Sequence, residues 1–149
     1  MVFIVTAIAL LVGIIAHRFD IPPFLHPVSV PIAGLVAMCA MGILARLVPT
    51  RRRALVDMVP EWVPKPTVVV WLTGLLELAG GIGLLIEATR PWAAICLGLL
   101  LVTVFPANVV DARRAGDKDG TTGNRLLRRG SEQVAFVLLC VSVLVIDHR

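Results

Sequence analysis

The stretch TVVVWLTGLLELAGGIGLLI, residues 67–86, decides the fold class of this chain. Its single charged residue is Glu77, and its length of about 20 residues is what an α-helix needs to cross the hydrocarbon core of a bilayer. Four further apolar runs occupy residues 1–16, 32–48, 92–110 and 134–146. The pattern predicts an all-α membrane protein, a single transmembrane domain over residues 1–149 that folds as a compact helix bundle with five spans.

The composition and the placement of charge support this prediction. Apolar residues make up 58% of the chain and charged residues only 16%, too few to solvate a surface of this size. Eleven of the fourteen Lys and Arg residues lie in or beside two connections, 46–65 and 113–129. Two spans separate these connections, so both lie on one side, which the positive-inside rule makes the cytoplasm. We therefore expect a multi-pass protein of the cell (inner) membrane with a cytoplasmic N-terminus, an outer C-terminus and no nucleic-acid partner.

The first apolar run leaves an alternative open. Residues 1–16 are short for a span and would also suit the apolar region of a signal peptide. However, no Lys or Arg precedes this run, and Ile15-Ala16-His17 is not a small-x-small cleavage site. The sequence therefore favours a retained first helix.

Three segments carry a family resemblance: MVPEWVP at residues 58–64, LTGLLELAGGIGLL at residues 72–85 and VFPAN at residues 104–108. In this order they resemble the DoxX-like membrane proteins, and the resemblance extends over residues 32–146. It implies a four-helix bundle, to which residues 1–16 add an N-terminal helix. The second run departs from the family, because many relatives end it with a His where this chain has Leu44-Ala45-Arg46. Some members are associated with membrane oxidoreductase assemblies, including quinone-linked sulfur oxidation.

Glu77 is the leading candidate for function, because a carboxylate in hydrocarbon must face protein, pair or protonate. Thr73 lies one helical turn before it, and antiparallel pairing with the next run places Thr103 nearest to it, with Asn108 closer to the inner face. These four residues are predicted to line one polar channel that binds a ligand or handles a proton. A structural bridge between helices is the competing interpretation. Since no Lys or Arg lies within two turns on its own helix, the carboxyl is expected to be uncharged.

Small and aromatic residues mark the other predicted contacts. Small side chains let neighbouring helices approach closely, and a proline inside a run favours a kink. The predicted helix-packing residues are Gly74, Ala79, Gly80, Gly81, Gly83 and Pro106. Tryptophan favours the membrane–water interface, and the predicted interfacial residues are Trp62, Trp71 and Trp92.

Cysteine and histidine chemistry is weakly indicated. The cysteines lie singly in three apolar runs, as small buried hydrophobic residues do, at Cys39, Cys96 and Cys140. The histidines lack the spacing of a helical metal site and are predicted at the surface, at His17, His26 and His148. No nucleotide fingerprint or Ser-His-Asp set is present. The sequence predicts no metal and no covalently bound cofactor, and it leaves a quinone or a lipid as the candidate ligand.

Three classes of function stay open. The first is a non-catalytic accessory or anchoring subunit of a larger membrane complex, because no complete catalytic set is visible. Its partners would be membrane lipids and other membrane subunits or a second copy of the chain. The second is a membrane subunit of a quinone-linked oxidoreductase, with Glu77 as ligand or proton group. The third is a small transporter or a lipid-binding protein. The sequence favours a chain that is not an enzyme on its own.

Overall fold

The structure, a computed structural model, describes residues 2–19, 21, 26–116 and 120–147. Within these residues the chain forms six α-helices and no strand. The helices are α1 (Val2–Arg18), α2 (Ser29–Leu47), α3 (Pro49–Asp57), α4 (Pro66–Leu85), α5 (Arg90–Gly116) and α6 (Thr122–Asp147). Residues 22–25 of the first connector and His148 lie outside the described residues.

Four helices, α2, α4, α5 and α6, are long and apolar enough to cross a membrane. The predicted all-α membrane fold is therefore confirmed. The first helix, α1, is apolar but shorter, with 17 residues, which is the lower limit for a span. It packs on α2, where a Cβ on Gly34 would lie 2.8 Å from the side chain of Leu10.

The helices α2, α4, α5 and α6 form a closed ring, in which each packs on the next and α6 returns to α2. Each contributes one large, fully buried side chain to the core between them: Leu35, Leu84, Leu97 and Val143. In lipid such contacts stabilise the bundle through close van der Waals packing, because lipid tails are as apolar as the side chains themselves. The outer faces carry many exposed large apolar residues, as a lipid-facing surface requires.

Glycines on α4 allow its close approach to both neighbouring helices. A Cβ on Gly80 would lie 2.5 Å from the side chain of Leu97 on α5, and a Cβ on Gly81 would lie 3.2 Å from that of Cys39 on α2. Gly83 similarly faces Ala93. Ala79 is exposed, so the structure does not show it as a helix-packing residue within this chain. Gly74 and Pro106 belong to the site described below.

The sequence analysis did not predict α3. Pro49 suits the first turn of a helix, and the extended backbone of Val48 separates α3 from α2. The guanidinium of Arg52 lies 5.8 Å from the centre of the Trp71 ring, a cation–π contact that ties α3 to the start of α4. Residues 58–65, which we call the lip, connect the two helices.

The three tryptophans lie near helix ends and are exposed. Trp62 is in the lip, Trp71 is in the second turn of α4, and Trp92 is in the first turn of α5. Trp62 is 78% exposed and Trp92 is 70% exposed. Their placement at a membrane interface stays a prediction.

Candidate functional site

An ion pair between α2 and α4 forms the centre of the candidate site. Arg46 Nη1 donates to Glu77 Oε2 at 2.8 Å, and Arg46 Nη2 donates to Glu77 Oε1 at 3.1 Å. The two side chains are only 8% and 16% exposed. This two-point geometry is the strong form of a guanidinium–carboxylate contact and joins the C-terminal end of α2 to the middle of α4.

The backbone and side chains around Arg46 satisfy its remaining donors. Arg46 Nε donates to the Val70 carbonyl at 2.8 Å, Nη1 also donates to the Gly42 carbonyl at 2.9 Å, and Nη2 also donates to Thr73 Oγ1 at 3.2 Å. The Thr73 hydroxyl in turn donates to the Val70 carbonyl at 3.1 Å. A guanidinium has five N–H donors, and all five are used here. The Arg46 charge is thus fully solvated by protein.

Two glycines make room for this pair. A Cβ on Gly42 would meet Glu77 Oε2, and a Cβ on Gly74 would meet Cδ and Nε of Arg46. Gly42 lies one turn before Arg46 on α2, and Gly74 lies about one turn before Glu77 on the face of α4 that Val70 and Glu77 share. Only glycine leaves the space that a guanidinium and a carboxylate occupy between two packed helices. Gly74 therefore accommodates a buried side chain as well as a neighbouring helix.

The sequence analysis missed Arg46 as the partner of Glu77. The helix of Glu77 carries no cation near this residue, and the cation comes from α2 instead. Arg46 was counted with the basic connection that follows the second apolar run, because it lies near the end of that run. The sequence signal that marked it was a charged residue, Arg46, where the DoxX-like resemblance led us to expect a His. The expectation of an uncharged Glu77 rested on the lack of a cationic partner, and Arg46 removes that premise.

A cavity of about 490 Å³ lies beside the ion pair, inside the ring of four helices. Its α2 wall extends from Met38 to Arg46, which corresponds to about 12 Å along the helix axis. Met38, Leu101 and Phe136, all buried in the core, line its deep end, and Met58 to Val63 of the lip line its other end. Small-molecule sites have about this volume and this largely apolar character.

All four residues that the sequence singled out lie on the wall of this cavity. Thr73 and Glu77 lie on its α4 side, and Thr103 and Asn108 lie on its α5 side. Thr103 is not the polar partner of Glu77, because its hydroxyl donates to the Leu99 carbonyl of its own helix at 2.8 Å. Pro106 lies within α5, lines the same cavity and is exposed, as is Thr103. Both residues therefore line the cavity and also reach the outer surface of α5.

The wall of the cavity carries a second polar group, supplied by the N-terminal half of α6. Arg129 Nη2 donates to Asp111 Oδ2 of α5 at 2.6 Å, and Arg129 Nη1 lies 4.0 Å from Glu132 Oε2. Arg129, Glu132 and Gln133 all line the cavity. Gln133 Nε2 is buried and has no hydrogen-bond partner among the described residues. The sequence offered no reason to place these residues in a site: Arg129 was counted only with the basic connection, and the others lie at the polar entry to the last apolar run.

Further polar contacts hold both ends of the bundle. Arg114 of α5 donates to the Asp57 carbonyl at 2.6 Å and pairs with Glu61 of the lip at 3.0 Å. At the opposite end, Arg90 Nη1 pairs with Asp147 Oδ1 at 2.7 Å. The lip pair is largely exposed in the structure, so it contributes little stability of its own.

The cysteines do not form a reactive group. Cys39 and Cys140 are buried in the helix core, as predicted, but Cys96 is exposed on the outer face of α5, so its prediction as a buried residue is wrong. All three are free thiols. His17 and His26 lie at the C-terminal end of α1 and just before α2 and are at least partly exposed.

The fold and the site define a class: an all-α membrane protein whose bundle encloses a charged pair beside an apolar cavity. The chain belongs to the DUF8561 family, described as a domain of unknown function, which it matches over residues 32–144. The match begins inside α2, so it leaves out α1. Curated proteins and solved structures gave no match.

Proposed function

We propose that this chain binds an amphipathic small molecule inside the bilayer, of the quinone or lipid class, in the cavity between the four spanning helices. The observation that carries the proposal is a cavity of about 490 Å³ that is apolar at its deep end and lined by polar groups nearer the lip. An amphipathic molecule matches such a gradient. Thr103 and Pro106, which line the cavity and are exposed, mark the side from which it would enter from the lipid.

The ion pair supports the proposal by holding the cavity open. Because Arg46 and Glu77 bind each other and the neighbouring backbone, they form a rigid cross-link between α2 and α4. This favours the structural interpretation of Glu77 over a proton relay, since a proton relay would have to break the bidentate pair. Glu77 nevertheless lines the cavity, and a carboxylate has acceptor sites beyond the two that Arg46 uses.

The other functions expected from the sequence stay predictions. An accessory or anchoring subunit needs a protein partner, but the exposed apolar faces of the helices are equally what lipid contact requires. A quinone-linked oxidoreductase subunit, the role that the DoxX-like resemblance implies, would use the same cavity. It would also need a redox partner that supplies or accepts the electrons.

The proposed membrane topology places the cavity in the inner half of the cell membrane. The positive-inside rule puts the lip, α3 and the start of α6 in the cytoplasm, because they belong to the two segments, 46–65 and 113–129, that carry eleven of the fourteen Lys and Arg residues. In this arrangement α1 begins in the cytoplasm and α6 ends outside. A ligand would then enter from the inner leaflet.

Photo-crosslinking in bilayer nanodiscs tests the proposed binding. The probes are an alkyl benzoquinone and a monoacylglycerol, each with a diazirine in its chain, and the labelled residues are mapped by mass spectrometry. Ala107→Phe fills the cavity, whereas Val102→Phe adds the same ring on the exposed, lipid-facing side of the same helix. We expect labelling of the cavity wall in the wild type and in Val102→Phe, and its loss in Ala107→Phe. Labelling of lipid-facing residues alone would refute the proposal. Labelling of the cavity wall that is equal in Ala107→Phe and Val102→Phe would refute it as well.

A further inference from the structure

We propose that the cavity selects a ligand with an uncharged head group that carries a hydrogen-bond acceptor, such as a carbonyl, and that the Gln133 side chain donates to it. This inference rests on the proposed binding function and narrows its ligand class. The shared chemistry could come from a quinone or from the ester carbonyl of an uncharged glycerolipid. The observations that carry it are the charge balance of the cavity and one unpartnered donor.

The charges on the cavity wall cancel. The described wall carries two cations, Arg46 and Arg129, and two anions, Glu77 and Glu132. Each cation already has an anionic partner, Glu77 for Arg46 and Asp111 for Arg129. Glu132 in turn lies 4.0 Å from Arg129 Nη1 and 4.0 Å from Nε of Arg128, which is not on the wall. An anionic head group would have to compete with these carboxylates, and a cationic head group would have to compete with the guanidinium groups. In a low-dielectric site an unpaired ligand charge is strongly disfavoured, so an uncharged head group fits best.

Arg46 has no donor left for a ligand. Its five N–H groups are bound to Glu77, Thr73 and two backbone carbonyls. The Thr103 hydroxyl is likewise bound, to the Leu99 carbonyl. These two side chains are therefore unable to donate to a head group without losing an existing bond.

Gln133 differs, because its donor atom is free. Gln133 Nε2 is one of two buried side-chain polar atoms that lack a partner in the described part of the chain, and the other, Thr6 Oγ1, lies on α1. A buried amide without a partner is disfavoured, and such groups in folded proteins call for an explanation. Gln133 lies one turn from Arg129 and less than one turn from Phe136, between the polar and apolar parts of the wall. An acceptor on a bound head group would satisfy it, while the attached chain lies among apolar residues.

Affinity and stability measurements on Gln133→Leu test this assignment. Four probes share a decyl chain and differ in the head: a decyl benzoquinone, monodecanoylglycerol, decyl phosphate and decyltrimethylammonium. We expect the wild type to bind one or both of the uncharged carbonyl probes at least about tenfold more tightly than the charged ones. In Gln133→Leu that affinity should fall by roughly tenfold, the contribution of one hydrogen bond between uncharged groups. The Tm of the ligand-free variant should stay equal or rise, because the substitution removes an unsatisfied polar group.

The outcomes separate the two proposals. A preference for the quinone or for the glycerol ester identifies the source of the carbonyl, and either supports the inference. Tighter binding of a charged probe, or unchanged affinity in Gln133→Leu, would overturn the selection by Gln133 while leaving the cavity as a binding site. If Ala107→Phe leaves the binding of every probe unchanged, the proposed binding function fails and the inference fails with it.

Discussion

Breaking the Arg46–Glu77 pair should destabilise the bundle in a way that a second substitution corrects. Glu77→Leu removes two of the five acceptors of Arg46 and leaves a guanidinium, whose side chain is only 8% exposed, without a counter-charge. Removing one partner of a buried pair costs about 3–5 kcal/mol. The cavity beside the pair admits water to the stranded charge, so we expect a value near the lower limit, about 3 kcal/mol.

The double variant Arg46→Met/Glu77→Leu separates the pair from general packing effects. With both charges gone, nothing buried is left unpaired, and apolar replacement of a buried ion pair is often close to neutral. The double variant should therefore be more stable than Glu77→Leu alone, by about 2 kcal/mol. Glu77→Gln should fall between wild type and Glu77→Leu, because its amide keeps one acceptor but turns a donor towards Arg46. If Glu77 only bridged the helices by hydrogen bonds, without a cationic partner, Glu77→Gln would be as stable as the wild type.

Reversible unfolding in mixed micelles of dodecyl maltoside and sodium dodecyl sulfate, followed by far-ultraviolet circular dichroism, measures these differences. With Arg46→Met alone as the fourth variant, the double-mutant cycle gives the interaction free energy of the pair, since it cancels the effects that each substitution has alone. If the double variant is less stable than Glu77→Leu, Arg46 stabilises the bundle even without Glu77. The assignment of Arg46 as the solvating partner of Glu77 would then be wrong.

Three further predictions follow from individual contacts. Gly42→Ala should lower the free energy of unfolding by about 1–3 kcal/mol, as overpacking does, because the added Cβ would meet Glu77 Oε2. The control is Gly130→Ala, where no atom lies within 4 Å of the added Cβ. In the same unfolding assay it should be neutral or stabilising. In a background without native cysteines, an impermeant maleimide applied to intact cells should label a cysteine at Ala88 but not one at Gly123, and the reverse pattern would invert the topology. Replacing all three cysteines by Ala should leave ligand binding intact, because none contacts the cavity, and loss of crosslinking would contradict that.

The spanning helices were predictable because the signal that defines them is local. A run of about 20 apolar residues can satisfy its backbone in hydrocarbon only as a helix, wherever its neighbours lie. The rise per residue also predicts which residues of two antiparallel helices lie at the same height in the bundle. This is why the sequence correctly placed four residues beside one cavity: Thr73, Glu77, Thr103 and Asn108. The helix α3 escaped this reasoning, because PTRRRALVD is too polar to bury and its helical state depends on Pro49 and on contacts to α4.

The partner of Glu77 was not predictable from local spacing, because it depends on which face α2 turns towards α4. Arg46 and Gly42 share one face of α2, and Val70, Gly74 and Glu77 share one face of α4; the two faces fit only in the register that the folded bundle sets. A charge at the end of an apolar run is normally assigned to the membrane surface, which is where a long side chain can reach water. Arg46 instead points inward, and it can do so because the two glycines leave space along its path. Both charged residues of the pair follow a glycine by about one helical turn: Arg46 follows Gly42, and Glu77 follows Gly74. When two neighbouring spans both carry this pattern with opposite charges, the pattern predicts an ion pair between them.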